Sequence, residues 1–469
     1  MVRNNNNNNS SNSSFFNKLY NPSFYSFSAT TTRIINNNRK ISVVVYVMLV
    51  TIVVDSVINQ NADYLVALNT SASGIALFIM MASVCMVGQY FILEYVKEKS
   101  REIRSKVRYL AMLHTIVTMI QYLLIAVFIL VIIDIVVSRQ YPTVSLAVVT
   151  AASYGLNIGL MGIFAKIFFS WYRSNRHSAV VLLYGLSFAV VVITSSVFLA
   201  ISFYRFMERP SYIFPYSKVV FVKFKEESIL YKLSKTYHFS DIVSFVLKWV
   251  ATVFLLYHYS RKMGRTKYWV LVGVPLAYFL STFMDDFHLY QPHSDSELFY
   301  WYLYASLNST AGGILFGIGF MLGAKHFPEK SDIRDYMIIS GFGFILFFSA
   351  GQSILTITPY PPYGFATMSF FGLSTYLILV GLYSSAISVS EDIELRNYIK
   401  KSTQHEAKFL DSMGTAHMEK ELTKKIVLRA REEQKELANE SGGVKSSLTE
   451  ADIINIVEEV EKDVKKERA

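Results

Sequence analysis

The chain has 469 residues, of which 52% are hydrophobic, 15% aromatic and only 17% charged, with a formal net charge of +10 and a mean hydropathy of +0.33. A soluble chain carries about 25% charged residues; here charge gathers in short clusters between long apolar runs, as in a polytopic membrane protein. The basic excess lies in the N-terminal segment and short loops, which fits the positive-inside bias and argues against a nucleic-acid partner, and the single cysteine, Cys85, excludes an intramolecular disulfide.

Residues 1–40 are rich in Asn and Ser and contain Arg3, Lys18, Arg33, Arg39 and Lys40 without an acid. Such low-complexity composition buries too little apolar surface to offset chain entropy, so a disordered tail is expected. A secretory signal fits poorly, because the first apolar run starts about forty residues in.

Ten apolar runs follow, at 41–58, 65–93, 109–137, 143–169, 178–204, 241–259, 268–284, 298–322, 336–357 and 365–389. Most have roughly the 20 residues that a helix needs to cross about 30 Å of hydrocarbon. The expected fold is therefore all-α: a polytopic transmembrane domain of about ten spans over 41–390, a cytoplasmic helical tail over 391–469, and the lipid bilayer as surroundings.

Orientation follows from the stretch KEKSREIRSKVR, which places six basic residues (Lys97, Lys99, Arg101, Arg104, Lys106 and Arg108) between the second and third runs. With this stretch in the cytoplasm, the N-terminal segment, the loops at 171–177, 261–267 and 325–335, and the C-terminal tail also fall inside. The connections at 59–64, 138–142, 285–297 and the proline turn TPYPPYG at 358–364 fall outside. A cell-membrane protein with both termini cytoplasmic is expected. The interruption at 205–240 is the exception, being basic yet outside. Binding to outer headgroups and a concealed half-span are its two readings, and SKVVFVKFK within it hints at a short strand. GLNIGLMGIFAKIFFSW from Gly155 echoes GGILFGIGFMLGAKHF from Gly312, which raises a duplication of spans two to five as six to nine.

The tail is highly charged and carries Leu410, Met413, Leu422 and Ile426 at loosely helical spacing, interrupted by Gly414. A second helix is expected after Thr449, which stands as its cap. An apolar face on such a tail points to self-association, to packing on the protein's own loops, or to a cytosolic protein partner.

Charged groups inside a bilayer are costly and are functional candidates by default. Asp55, Asp134 and Lys248 lie within runs, the acids near outer helix ends and Lys248 in the outer half of its span, where it could pair with one of them. The outer loop supplies Asp285, Asp286, His288, His293, Asp295 and Glu297, a mixed ligand set suited to Zn²⁺, Cu²⁺ or Mn²⁺, although its spacing matches no specific metal motif. His114, His258, Gln89, Gln121, Asn157, Asn308 and Gln352 are single polar residues in or beside apolar helices, where interhelical hydrogen bonding is expected. No Walker loop, HExxH or GxSxG occurs, and no cofactor site is expected. His405 and His417 in the tail raise the idea of a histidine kinase, but the residues that remain after them are too few for a catalytic domain. An enzyme is not expected.

SGFGFILFFSAGQ from Ser340, YPPYGFATMSFFGLSTYLILVGLYSSAISVSED from Tyr360, LRNYIKKS from Leu395, LDSMGTAHMEKE from Leu410 and SSLTEADI from Ser446 resemble a family of multi-pass membrane proteins in ammonia-oxidising archaea. The resemblance is clearest over the last third of the chain. It implies a membrane location and an archaeal origin, and carries no activity or site residue. The expected function is a membrane sensor or signalling scaffold with a partner-binding tail. The alternative is a secondary transporter or channel for a cation or small polar solute.

Overall fold

The computed structural model describes residues 28–61, 65, 71–174, 178–215, 228–257, 264–281, 284, 294–324, 327, 331–351, 358, 360–393, 396–397 and 405–440; for 28–40, 295, 302, 305–311, 405–407 and 437–440 it describes the backbone only. Every apolar run corresponds to a helix. They are α1 (Ser28–Gln60), α2 (Ala72–Lys99), the short α3 (Arg101–Lys106), α4 (Arg108–Ser138), α5 (Thr143–Ser174), α6 (Ala179–Met207), α7 (Ile229–Leu256), α8 (Arg265–Ser281), α9 (Asp295–Ala324), α10 (Asp332–Ala350), α11 (Phe365–Glu391) and the tail helix α12 (His405–Glu440). Eight of these, α1, α2, α4, α5, α6, α7, α10 and α11, are long and apolar enough to cross a membrane. The fold is all-α apart from a two-residue antiparallel pair, β1 (Tyr141–Pro142) with β2 (Tyr212–Ile213), in which Tyr141 faces Ile213.

The bundle is built around α11, whose membrane-length window is 100% buried, against 28% for α4. Polar side chains from three other helices converge on α11. Gln89 of α2 donates to Ser369 Oγ, Gln121 of α4 donates to the Ser369 carbonyl at 3.4 Å, His114 of α4 meets Tyr376 at 2.8 Å, and Thr375 donates to Asn157 Oδ1 of α5 at 2.6 Å. These are the interhelical bonds expected of single polar residues in apolar helices. On α4, Met119, Leu130, Val136 and Val137 are exposed and form an apolar outer surface of the kind that interaction or membrane sites present.

Loops expected on one side of the membrane meet at one end of the bundle. Lys99 pairs with Asp335 at 2.5 Å, Lys106 pairs with Glu391 at 2.8 Å, and Tyr336 donates to the Lys99 carbonyl. The basic stretch 97–108 is thus no free loop: it is the end of α2, the α3 turn and the start of α4, stapled to the start of α10 and the end of α11. At the other end Tyr141 donates to the Thr358 carbonyl, Tyr363 to the Gly74 carbonyl, and Arg209 to the Thr358 carbonyl. Arg209 and β2 therefore join the loops expected outside, and residues 208–215 hold no half-span. Residues 216–227, which include all of SKVVFVKFK, lie outside the described residues, as does the helix expected after Thr449.

Three features of the helices differ from expectation. Helix α1 starts at Ser28 and not at Ile41, because no Gly or Pro stops helix propagation between them. Helix α7 starts at Ile229, capped by Ser228 Oγ on the Tyr231 amide at 3.1 Å, and not at Asp241. Helix α10 runs to Ala350, and the remainder of the run expected to reach Ile357, residues 352–357, lies outside the described residues. Helix α12 runs through Gly414, because a side chain there would strike Val389 of α11 and the glycine admits close packing. The two glycine-rich echoes also pack differently. A Cβ at Gly155 or Gly159 would have open space, whereas one at Gly317 would lie 2.6 Å from the Gly341 carbonyl of α10.

Candidate functional site

The amphipathic spacing of α7 puts Tyr237, Asp241, Ser244 and Lys248 on one face. That face meets α5, α6, α10 and α11 around a cavity of about 80 Å³. At 1.5 Å per residue, Asp241 stands roughly 18 Å and Lys248 roughly 28 Å along a helix of about 42 Å. Because α7 begins well before the apolar run suggested, Lys248 falls in the half nearer the C-terminal end of α7.

Lys248 Nζ, 2% exposed as a residue, donates to Ser244 Oγ at 2.5 Å and to the Ser244 carbonyl at 3.4 Å. It also lies 5.8 and 5.4 Å from the ring centroids of Phe347 and Phe348 on α10, within cation–π range. Gly351, the cap of α10, also lines this cavity. Asp241 lines the same cavity and is half-buried; Lys248 and His238 are the charges that act on it. Among the described residues it accepts no hydrogen bond and forms no direct ion pair.

A seam of hydroxyls holds α7 to α6. Thr194 donates to Ser240 Oγ at 2.9 Å, Ser187 to the Ser244 carbonyl at 3.0 Å, and Tyr184 meets Thr252 at 3.0 Å. On the α8 side the rings of Phe245 and Phe279 stack with centroids 3.7 Å apart. These contacts fix the register of α7, and with it the depth of both charges.

The residues singled out from sequence separate into distinct places. Asp55 is 1% exposed and caps α11. Its Oδ1 accepts from the Gly364 amide at 2.9 Å, and its Oδ2 from the Thr367 amide at 3.1 Å and the Thr367 hydroxyl at 2.6 Å. It is a structural cap, hydrogen-bonded at both oxygens, and no partner of Lys248. Asp134 is half-buried on α4 and does not line the Lys248 cavity. The pairing of Lys248 with either acid is thus replaced by its nearness to Asp241. Sequence reasoning missed Asp241 by taking it as a span boundary. The available signal was its placement seven residues before Lys248, two helical turns along one face.

Of the outer-loop metal candidates, Asp285, Asp286, His288 and His293 lie outside the described residues, Asp295 begins α9 with only its backbone described, and Glu297 is exposed. Among the described residues, no group of three or more His, Cys, Asp or Glu is placed to hold a metal ion.

The tail helix covers the end of the bundle that bears the basic stretch. Phe409, Leu410, Met413 and Ala416 are buried. The Phe409 ring lies 5.7 Å from Tyr184, whose hydroxyl reaches Thr252 of α7. His417 sits edge-on to Trp171 and Tyr383. The apolar face expected on the tail therefore packs first on the protein's own bundle, while Leu422 and Ile426 remain exposed. No family model matches the chain, and neither a curated protein nor a solved structure matches it.

Proposed function

We propose that the protein is a membrane sensor of ten helical crossings, with both ends in the cytoplasm, whose tail helix relays the state of the buried α7 site to a cytosolic partner. In this reading α8, about 26 Å long, and α9 complete the ten crossings. The end of the bundle bearing residues 97–108 is cytoplasmic, because that end carries the basic excess. The observation that carries the relay is Tyr184. Its hydroxyl bonds to Thr252, one turn beyond Lys248 on α7, and its ring packs on Phe409 of the tail. A change of charge state at Asp241 or Lys248 that moves α7 would move the seat of α12. The exposed Leu422 and Ile426, four residues apart on one face, are then the surface left for a partner.

The test is hydrogen exchange on the full chain in lipid nanodiscs, comparing native protein with Asp241→Asn. The relay predicts faster exchange over 405–420 in the variant. Unchanged exchange there, with altered exchange confined to α7, would end this reading.

A second reading, transport of a cation or small polar solute, is favoured by the cavity itself, since charged groups at hydrocarbon depth mark solute pathways. Uptake into proteoliposomes that is lost in Lys248→Met would select it.

A further inference from the structure

The cavity holds two opposite charges that do not touch. Lys248 is supported on several sides: by Ser244 Oγ and the Ser244 carbonyl and by two ring faces. An ammonium has three donors, and at most one is left. Asp241 has no donor among the described residues, although a carboxylate accepts at two oxygens. The hydroxyls of Tyr154 and Tyr237, which also line the cavity, likewise make no side-chain hydrogen bond among the described residues that would remove them from its contents. A separated ion pair in a low-dielectric interior is costly unless something bridges it.

We propose that this cavity binds a small zwitterion, a solute of glycine's size with its protonated amine on Asp241 and its carboxylate on Lys248. Charge decides the class. The pair is balanced, so a lone cation or a lone anion would leave one uncompensated charge buried in the bundle. A zwitterion adds none and supplies the donor that Asp241 lacks and the acceptor that the remaining Lys248 proton needs. The aromatic walls, Phe245, Phe279 and Phe371 among them, offer no competing donor and can face a short aliphatic segment. Size limits the solute. A cavity of about 80 Å³ has room for several waters and for a solute of glycine's size.

The site does not depend on the tail relay. A chain that bound glycine without moving α12 would lose the relay and keep the site.

The experiment is calorimetric titration of the full chain in detergent micelles with glycine, methylamine, acetate and sodium chloride at matched concentrations. Saturable binding is expected with glycine, and none with methylamine, acetate or salt. Asp241→Asn and Lys248→Met should each weaken glycine binding about ten-fold or more. The neutral double variant, which leaves no unpaired charge, should retain helical content and a monodisperse elution profile while failing to bind. Selectivity is read on the unaltered protein, so it stands as a test even where a single variant fails to fold. Methylamine binding as tightly as glycine, glycine binding that survives Asp241→Asn, or no saturable heat with glycine, as for a cavity filled by water alone, would each overturn the proposal.

Discussion

Asp55 Oδ1 accepts a hydrogen bond from the Gly364 amide at 2.9 Å, so a carboxylate near one end of α1 closes the start of α11, 309 residues later in the chain. The amides at the start of a helix have no partner within the helix. In the interior of a membrane protein there is no bulk water to satisfy them. Asp55 takes two of these amides and the Thr367 hydroxyl, and its charge complements the positive end of the α11 dipole. Asp55→Ala is expected to destabilise the bundle by about 1–3 kcal/mol. Asp55→Asn, which keeps one acceptor oxygen, should lose less. Thermal unfolding of both variants in micelles checks the order; equal loss from Asn and Ala would mean that the two-oxygen cap is not what matters.

Gly364 itself is required twice over. Its φ of +84° lies in the left-handed region, and a Cβ there would come within 2.6 Å of Asn59 Nδ2. Gly364→Ala is expected to cost about 1–2 kcal/mol for the backbone alone and more for the clash. Asn59→Ala should recover the second part and not the first. A double-mutant cycle measures the difference, and an additive outcome would show that the Asn59 contact is slack.

How much of this was legible follows from what each feature needs. Helix positions were, because an unbroken run such as 109–137 has one interpretation at bilayer thickness. The basic residues grouped segments expected to share a side, and Lys99–Asp335 and Lys106–Glu391 bring the segments concerned together at one end. The start of α7 was not, because Lys232 and Lys235 lower its local hydropathy although Ser228 provides a cap. That error hid the place of Asp241 inside the helix. The role of Asp55 was beyond reach, because its donors lie on a helix distant in sequence. The apolar face of the tail was legible in Leu410 and Met413, but only the three-dimensional packing shows that Tyr184 and the end of α11 cover it.

The two ion pairs of the basic stretch should differ in worth. The side chains of Lys99 and Asp335 are 15% and 12% exposed, while those of Lys106 and Glu391 are 46% and 49% exposed. Removing one partner of a largely buried pair leaves an uncompensated charge and costs about 3 kcal/mol; the same change at an exposed pair costs less than about 1 kcal/mol. Asp335→Ala is thus expected to lower the unfolding temperature clearly and Glu391→Ala only slightly. Added salt should erase the second effect and largely spare the first. The reverse ranking would mean that the α3 turn, and not the Lys99 contact, is what ties α2 to α10.

The seat of the tail should respond to pH through His417. Burial against Trp171 and Tyr383 pushes its pKa below the usual histidine range; Lys420 acts in the same direction, and Glu421 and Glu391 oppose. A histidine whose pKa is lowered when docked binds its proton more readily when released. Docking is therefore at full strength above the free value of about 6.5 and weakens as pH falls through that value toward the docked one. Amide exchange over 405–420, measured between about pH 7.5 and 5.5 to bracket that free value and corrected for intrinsic rates, should show protection falling with acidity. His417→Phe keeps the apolar contact and removes the proton site, so its protection should stay flat over the same interval. A variant that loses protection with the native profile would place the pH response in a group other than His417.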